Sequence, residues 1–367
     1  MANYTIVLTD EIGSWTDTIS DWQLLQYTRN VNEIGTLTLV IDGNYPIANL
    51  KIDRRILVQR QIGSRIYTDT NSPFLIRRTT RKLDARGKRT IEVLAFSAVE
   101  LLARRIIAYN KGTSQSEKTA EADDMIKEIM RENFGADATN TDRDMSAYLT
   151  IQTDATLGPS ITKEFPRDNI MDVIQEIALT TSESGSPVFF DIVSSGEGLE
   201  FQTFRGVRGI DNTFTNGGNP VILSPNRGNL VDVTRAYDYS NEINFAYAGG
   251  TGTGANRTVE TACSINRINQ SPFNRREMFV SESNTDNTNA LIGEAEMAVR
   301  ADRPRRTFEG TILNVPGATE YGIHWAFGDK VTAEFENESI DCFVDGIAIT
   351  VKGGRETIRA TLRADED

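Results

Sequence analysis

Two stretches of the sequence repeat a short pattern about two hundred residues apart, and this repetition constrains the fold more than any other feature. Thr28-Arg29 is followed by Asn32-Glu33-Ile34, and Thr234-Arg235 is followed by Asn241-Glu242-Ile243. Each stretch opens a run of residues typical of a β-strand. Because a repeat unit is one supersecondary structure used again, the pattern predicts two similar β-units in one chain.

Further segments recur in the same order and support the duplication. Each copy has an acidic residue that opens a strand, a second strand that begins near an aromatic residue, a glycine turn and a third strand. In the first copy these are Asp53 to Val58, Phe74 to Ile76, Gly87 and Thr90 to Leu94. In the second copy they are Asp329 to Ala333, Phe343-Val344, Gly353-Gly354-Arg355 and Thr357 to Leu362.

The length and composition predict a folded protein of several compact units. A single hydrophobic core stops growing at about 250–300 residues, and this chain has 367. Hydrophobic content of 39% and charged content of 25% are typical of globular domains. The N-terminus lacks the basic start and apolar stretch of a secretory signal, so we expect assembly in a cytoplasm. Cys263 and Cys342 are expected to be reduced core residues.

Charge is distributed unevenly along the chain. The formal net charge is -13, but residues 51–110 hold 14 Lys and Arg against 5 Asp and Glu, so the remainder carries -22. Nucleic acid is disfavoured as the main ligand, because backbone binding needs a cationic surface and most of this chain is anionic. A chain with such opposed charges can instead orient against copies of itself or a charged neighbour.

Residues 1–96 alternate polar and apolar with a period of two. Leu37, Leu39 and Ile41 show the pattern, and glycine or asparagine turns separate the runs. This spacing predicts a small antiparallel sandwich or barrel. A short amphipathic helix, Ala98–Ile107, is predicted to end the unit.

The following section, about residues 105–227, has a different period. Hydrophobic residues three and four apart predict a helix over Glu117–Asn133, and Asp168 is the expected cap of a second helix. Val188–Ile192 and Leu199–Phe204 flank a glycine turn and predict a β-hairpin. These elements predict an α/β insertion.

The β-pattern resumes at Asn229 and is interrupted once more. A helix is predicted over Ala290–Arg300, and it must stop before Pro304 because proline cannot continue a helix. The second β-unit is therefore expected to be assembled from two separated segments.

Residues that carry catalytic or metal chemistry are scarce. His324 is the single histidine, and no Gly-x-Ser-x-Gly segment accompanies it, so we interpret it as structural. The glycine-rich segment Gly249–Gly254 lacks the helix and lysine of a phosphate loop and is interpreted as a strand connection. Acidic pairs such as Glu294 with Glu296 are interpreted as solvated faces. The sequence therefore nominates no catalytic, cofactor-binding or metal-ligating residue.

The densest cationic feature lies on two predicted strands and their turn. It is a candidate interface, with two interpretations: a charged hairpin edge that discourages aggregation, or an electrostatic contact with an acidic partner or neighbouring subunit. Its seven residues are Arg77, Arg78, Arg81, Lys82, Arg86, Lys88 and Arg89.

Short segments spread over nearly the whole chain carry a family resemblance. They are Trp22–Leu39 with Arg29 and Gly35, Leu101–Arg105, Val221–Ser224 leading into Gly228–Leu230, Asn244–Gly252 with Arg257, Arg275–Glu277, and Gly328–Val331. In these segments the chain resembles the tail-tip or baseplate hub proteins of long-tailed phages, especially the siphophage hub family related to the N-terminal part of tail-associated lysins.

The resemblance implies an α+β fold that is mainly β, with two similar antiparallel β-barrels, an α/β insertion domain and a smaller second insertion. The expected domains are a first barrel over 1–104, the α/β insertion over 105–227, a second barrel over 228–262 and 305–367, and a small insertion with one helix over 263–304. Such hubs assemble as trimers, in which two barrels per chain give a pseudo-sixfold ring.

The resemblance also implies a function and a set of partners. A non-enzymatic hub, without cofactors, would join the sixfold tail tube or distal tail protein to a threefold tip, spike or fibre protein. The tape-measure protein is a further candidate partner, membranes are not expected to be bound, and nucleic acid is expected only as DNA passing through the lumen. The expected location is the virion tail, assembled in the host cytoplasm. Many relatives continue into a lysin or fibre domain, whereas this chain ends soon after the second β-unit, so those activities are not expected here.

Two other interpretations stay open at this stage. One is a polysaccharide hydrolase that uses paired carboxylates. The other is the hub of a contractile injection system or gene-transfer particle, which would share the architecture but differ in biology.

Overall fold

A computed structural model describes residues 2–68, 72–108, 116–138, 140–165, 167–282, 286–313, 315, 318–336 and 338–364. The chain divides into two compact units. The first comprises Met1–Thr181, Ser186–Val233 and Glu309–Asp367, and the second comprises Ser182–Gly185 and Thr234–Phe308. No helix in the described ranges is long and apolar enough to cross a membrane.

The N-terminal segment forms strands that pair antiparallel, as the period-two alternation predicts. Leu37, Leu39 and Ile41 point into the core on alternate positions of one strand and are almost fully buried. The strands are β1 (Asn3–Thr9), β2 (Trp15–Ile19), β3 (Leu24–Asn30), β4 (Thr36–Asp42), β5 (Arg55–Ile62), β6 (Arg65–Thr68), β7 (Phe74–Leu83) and β8 (Arg89–Ser97).

The middle segment mixes helices and strands. Its helices are α1 (Glu100–Ala103), α2 (Ala122–Phe134) and α3 (Ile170–Glu183). Its strands are β9 (Ser116–Glu121), β10 (Leu149–Ile151), β11 (Ser160–Phe165), β12 (Val188–Ser195), β13 (Gly198–Arg205), β14 (Asp211–Asn212) and β15 (Ile222–Leu223). The apolar faces of α2 and α3 pack with residues of β12 and β13 in one buried cluster that includes Met125, Ile174, Phe190 and Phe201. The predicted hairpin is therefore confirmed as β12 and β13.

Three helix predictions for this segment need correction. The helix predicted over Glu117–Asn133 begins at Ala122, because Ser116–Glu121 is a strand paired with β11. The side-chain acceptor at the start of α3 is Asn169, which takes the N–H of Met171 at 2.9 Å, and not Asp168. The helix predicted to end the first unit spans only Glu100–Ala103.

The C-terminal segment returns to strands. They are β16 (Leu230–Asp238), β17 (Phe245–Gly249), β18 (Val259–Cys263), β19 (Glu277–Ser281), β20 (Arg305–Ile312), β21 (Lys330–Phe335), β22 (Glu338–Lys352) and β23 (Arg355–Ala364), with helices α4 (Ile265–Ile268) and α5 (Thr288–Ala301).

The second unit has its own small core. Ala246 and Ala248 of β17 pack against Leu291, Ala295 and Val299 of α5. The Asn287 side chain accepts the N–H groups of the first turn of α5, so this helix begins two residues before its predicted start. Cys342 is buried as expected, but Cys263 is exposed, which corrects its assignment to a core; neither cysteine forms a disulfide with a described residue.

Among the described residues the main sheet has 15 strands, and its hydrogen-bonded path runs β16-β20-β23-β22-β3-β4-β8-β7-β5-β1-β2. The first block on the β3 side reads β3-β4-β8-β7-β5. The other block reads β16-β20-β23-β22-β21, since β21 pairs with β22 off the main path. Within each block, the strands that come first, second, fifth, fourth and third along the chain lie side by side in that order. The sequence repeat predicts this shared order.

Matching irregularities confirm the equivalence of β7 with β22. The β7·β8 register shifts between Ile76 and Arg78, and the β22·β23 register shifts between Val344 and Gly346. A bulge inserts one extra residue into a strand, so Arg77 and Asp345 occupy equivalent positions.

Backbone hydrogen bonds beside the bulge also repeat. Ile76 accepts from Asp53 N–H at 2.9 Å and donates to Arg54 at 3.0 Å, while Val344 accepts from Gly328 at 3.1 Å and donates to Asp329 at 2.7 Å. Asp53 and Gly328 both have positive φ, 60° and 85°. The structure therefore aligns Asp53 with Gly328. The sequence comparison matches Asp53 with Asp329, which lies one residue further along the chain.

Candidate interface on the basic hairpin

The seven basic residues lie on β7, β8 and their turn, which the sequence predicted. The Asp84 carboxylate accepts the backbone N–H of Arg86 at 2.9 Å and of Lys88 at 2.8 Å. Asp84 N–H donates to the Lys88 carbonyl at 3.0 Å, and Gly87 has φ of 81°, where a side chain would be strained. A three-residue loop that ends in such a glycine is a stable hairpin connection. The turn therefore fixes the spacing of the charges.

The basic side chains are brought onto one hairpin but not onto one face. All seven residues are exposed. Arg81 pairs with Ile91 and Lys82 pairs with Thr90, so these neighbouring residues point to opposite sides of the sheet. Arg78 and Lys82 share the side of Glu92, and Arg77 is the extra residue of the bulge.

Some of the charges have partners. Arg77 Nη1 lies 3.0 Å from Asp53, and Lys82 Nζ lies 2.6 Å from Glu92. Arg78 approaches the same Glu92 at 4.0 Å. Exposed pairs of this kind contribute about 0–1 kcal/mol each, so they do not explain why the charges are gathered here.

Other charges are left uncompensated. Arg81, Arg86 and Arg89 form no ion pair with any described residue. Residues 77–92 contain seven basic residues against Asp84 and Glu92, a net charge of +5. The hairpin is thus a cationic projection on a chain of net charge -13.

The equivalent hairpin of the second block has a different character. Counting from the two bulges, Arg81 corresponds to Ile349 and Leu83 corresponds to Val351. Ile349 and Val351 are buried, whereas Leu83 is 67% exposed. The difference arises because β22 is covered at these residues by its pairing with β3. Sequence reasoning missed this contrast, although the aligned repeat shows the apolar-to-basic replacement.

A buried ion cluster was also missed. Arg29 Nη2 lies 2.8 Å from Asp191 Oδ2, both side chains are 2% exposed, and Arg208 donates to the same carboxylate from Nε at 3.2 Å. Both guanidinium groups stand over the Phe327 ring, at 5.2 and 4.6 Å from its centroid. The cluster ties β3 to β12 and to the segment before β21. Arg29 and Asp191 are 162 positions apart in sequence, so no local pattern indicated their contact.

A cleft of about 930 Å³ in the first unit has a charged floor. Arg60 donates to Glu356 at 2.8 Å and 3.0 Å, and the Tyr4 hydroxyl donates to Glu356 at 2.7 Å. Burial alone would lower the pKa of Arg60, but the hydrogen bond and charge of Glu356 raise it above its usual value. Arg60 therefore stays charged, and its bonds to Glu356 are made within the chain, which is typical of a structural ion pair.

The other segments considered for chemistry have structural surroundings. His324 Nδ1 accepts the N–H of Glu320 at 3.0 Å. The Gly249–Gly254 segment leads into a single turn of 3-10 helix and then β18, and the Arg257 guanidinium donates to its carbonyl groups at 2.8 Å. A phosphate loop would place backbone N–H groups at a helix N-terminus instead. No group of three or more potential metal ligands occurs among the described residues.

Comparison with known proteins decides the family. A family model described as Siphovirus ReqiPepy6 Gp37-like protein matches residues 6–362. The chain belongs to this family. No curated protein matches this sequence. The resemblance to siphophage proteins inferred from the sequence is thereby confirmed.

Solved structures show the same fold at low sequence identity. The 43 kDa tail protein of prophage MuSo2 from Shewanella oneidensis is 10% identical with a TM-score of 0.59, over 98% of this chain and 97% of the other. The tail protein from Neisseria meningitidis MC58 is 13% identical with a TM-score of 0.59, over 100% and 97%. Prophage tail protein gp18 from Listeria monocytogenes is 10% identical with a TM-score of 0.56, over 99% and 94%. The chain thus shares the fold of these phage tail proteins along nearly its whole length.

Proposed function

We propose that this protein is a non-enzymatic structural hub of a phage tail tip or baseplate. In this role three copies form a ring that joins the sixfold tail tube or distal tail protein to a threefold tip, spike or fibre. The family and the fold shared with phage tail proteins support a tail role. The finer claims, namely the trimer, the ring and its position, rest on the architecture of the main sheet.

The observation that carries the proposal is the repeated strand order of that sheet. The blocks β3-β4-β8-β7-β5 and β16-β20-β23-β22-β21 are built on one plan within one chain. Three such chains related by a threefold axis present six similar blocks. A ring of this kind can dock a sixfold surface on one side and a threefold surface on the other, which resolves a symmetry mismatch.

The proposed division into domains follows from the two blocks. Residues 1–104 and residues 228–262 with 305–367 would each curl into a hub barrel, with the α/β insertion over 105–227 and the small insertion over 263–304 added to them. The separate helix-containing core of the second insertion, around Leu291 and Ala295, supports an added module.

The basic hairpin is proposed to lie at a boundary, either between subunits or against the tail ring. Its support is the combination of full exposure, a rigid turn and a net charge of +5 on an acidic chain. Complementary charges at an interface fix orientation and suppress wrong partners more than they add affinity. An assembly built from two similar blocks needs this fixed orientation and this suppression of wrong partners.

The absence of an enzymatic role is also part of the proposal. A glycosidase of the usual kind needs two carboxylates that flank an open cleft. Glu320 and Glu356 both line the cleft described above, but Glu356 is held by hydrogen bonds from Arg60 and Tyr4. This arrangement supports a structural assignment over a hydrolase.

Imaging of tails that carry a tagged copy tests the role. An affinity tag at the C-terminus, detected by gold particles in negative stain, is expected to mark the distal end of the tail tube. Label along the tube, on the capsid, or absent from purified particles would contradict the hub assignment. Hydrolysis of host polysaccharide by the purified chain, abolished by a single carboxylate substitution, would favour the enzyme instead.

A further inference from the structure

One face of the three-stranded sheet in the second unit carries exposed aromatic side chains. Ala246 and Ala248 of β17 pack against α5. Phe245, Tyr247 and Gly249 therefore point to the opposite side, because successive residues of a strand alternate, and their partners in β18 and β19 point the same way. This surface, the aromatic sheet face, includes Phe245, Tyr247, Val259, Cys263, Glu277 and Phe279.

An arginine and a glutamate form the polar rim at one end of this face. The Arg275 guanidinium lies 3.9 Å from the centroid of the Phe245 ring, and its Nη2 donates to the Tyr247 hydroxyl at 3.3 Å. Its Nε donates to Glu277 Oε1 at 2.6 Å. Arg275 Nη1 and Glu277 Oε2 form no hydrogen bond with a described residue. One donor group and one acceptor group beside the rings are therefore available to a ligand.

Phe279 is fixed at the other end of the face. Arg257 lies 4.9 Å from the centroid of the Phe279 ring and donates to the carbonyl groups of Gly249 and Gly250 at 2.8 Å. A Cβ atom on Gly249 would stand 2.5 Å from the Phe279 ring and 2.7 Å from Arg257 Nε, so a glycine is needed for both side chains to lie against the strand. Phe279 is thus held in place and remains 53% exposed.

The size and the charge of the face restrict what it can bind. Five paired positions on three strands measure about 16 by 14 Å, an area of roughly 230 Å². A specific protein interface buries about 800 Å² on each partner, so the face is too small for a stable protein contact. Residues 234–308 hold nine basic and nine acidic residues. This neutral balance disfavours nucleic acid, because binding of a phosphate backbone needs an excess of cationic charge.

We propose that the aromatic sheet face binds a neutral saccharide chain of the host cell surface. Sugar rings present C–H groups, which are attracted to the negatively polarised face of an aromatic ring. Their hydroxyl groups both donate and accept hydrogen bonds, which matches the free Arg275 Nη1 and Glu277 Oε2. This activity goes beyond the proposed hub role and does not depend on the trimer.

Titration of the purified chain with neutral oligosaccharides tests the proposal. The probes are maltotriose, cellotriose and chitotriose, followed by saturation-transfer NMR. We expect at least one of them to bind, and Phe279→Ala to weaken its binding at least about tenfold, because the variant removes a ring that the ligand covers. Phe214→Ala is the control, since it removes a ring that is 71% exposed in the first unit. It should bind like wild type.

Protection of Cys263 gives a second readout that needs no substitution. Cys263 is exposed and lies opposite Phe245 on the same face, whereas Cys342 is buried. A saturating oligosaccharide is expected to slow the alkylation of Cys263 by a maleimide several-fold. An unchanged alkylation rate would overturn the inference, also where Phe279→Ala fails to fold.

Two further outcomes would overturn the inference. One is binding that folded Phe279→Ala leaves intact, or no binding of any of the probes. The other is binding of a single-stranded oligothymidylate in place of the saccharides, which would assign the face to nucleic acid. Because all of these measurements use the purified chain in any oligomeric state, their failure leaves the hub assignment standing.

Discussion

At the scale of single residues, the buried Arg29–Asp191–Arg208 cluster links β12 and the segment after β13 to β3. Removing one partner of a buried pair leaves an uncompensated charge, which costs about 3–5 kcal/mol. Asp191→Ala removes the carboxylate that the guanidinium groups of Arg29 and Arg208 share. We therefore expect the free energy of unfolding of this variant in denaturant to fall by about 3–5 kcal/mol. Arg131→Ala, which removes an exposed pair with Asp154 at 2.6 Å, is the control and should cost about 1 kcal/mol or less. Equal effects of the two variants would show that the cluster is not structural.

The raised pKa of the Asp329 carboxyl implies that the stability of the folded chain depends on pH. Burial raises its pKa from 3.8 to about 6, although N–H donors at Ile210 and Ala326 oppose the rise. The folded chain therefore holds this proton more tightly than the unfolded chain. The resulting stability is fully present below about pH 4 and is lost as pH rises through about 6.

Asp329→Asn should remove that contribution. The difference in unfolding free energy between wild type and variant, measured from pH 3.5 to 7.5, is expected to decline by at most about 3 kcal/mol. A difference in unfolding free energy that stays constant or grows with pH would contradict the raised pKa of Asp329.

Single residues also mark where sequence reasoning succeeded and where it failed. The basic hairpin was predictable because its charges are contiguous in sequence. Arg29 and Asp191 are 162 positions apart, and their contact depends on how β12 packs against β3, which no local pattern encodes. The assignment of Cys263 to a core failed for a related reason, since burial of a lone residue depends on what packs over it.

At the scale of elements, the charge of the β7–β8 hairpin is proposed to act in assembly. Reversal of Arg77, Arg78 and Arg81 to Glu should leave the melting temperature within a few degrees of wild type, because exposed charges contribute little to stability. Tail assembly, counted by electron microscopy, should fall sharply. Reversal of the exposed Lys51, Arg65 and Arg227 gives the same change in net charge and should leave assembly intact. Normal tails from the hairpin variant would contradict the proposal.

Elements were predictable where local signals agreed with packing. The hairpin β12–β13 has alternating apolar residues around a glycine turn, and α5 has an Asn cap and a following proline. β9, with the sequence Ser-Glu-Lys-Thr-Ala-Glu, carries no alternation of apolar residues and was read as the start of α2. Its strand conformation comes from pairing with β11, a distant contact that overrides local propensity.

At the scale of the whole molecule, the repeated strand order links the sequence pattern to the proposed role. The repeat of Thr-Arg and Asn-Glu-Ile was sufficient to predict the duplication. The alignment of Gly328 with Asp53 required the hydrogen bonds beside the two bulges, because a glycine and an aspartate share only a positive φ there. The interruptions of the second block were visible as changes of period in the sequence.

The most direct test of the account is the mass of the purified full-length chain in solution, measured by light scattering after size exclusion. One chain has a mass of 40.7 kDa, and the account predicts a species of three chains, about 122 kDa, that persists on dilution. A species of one chain at every concentration, also when extracted from assembled tails, would contradict a trimeric ring built from duplicated blocks.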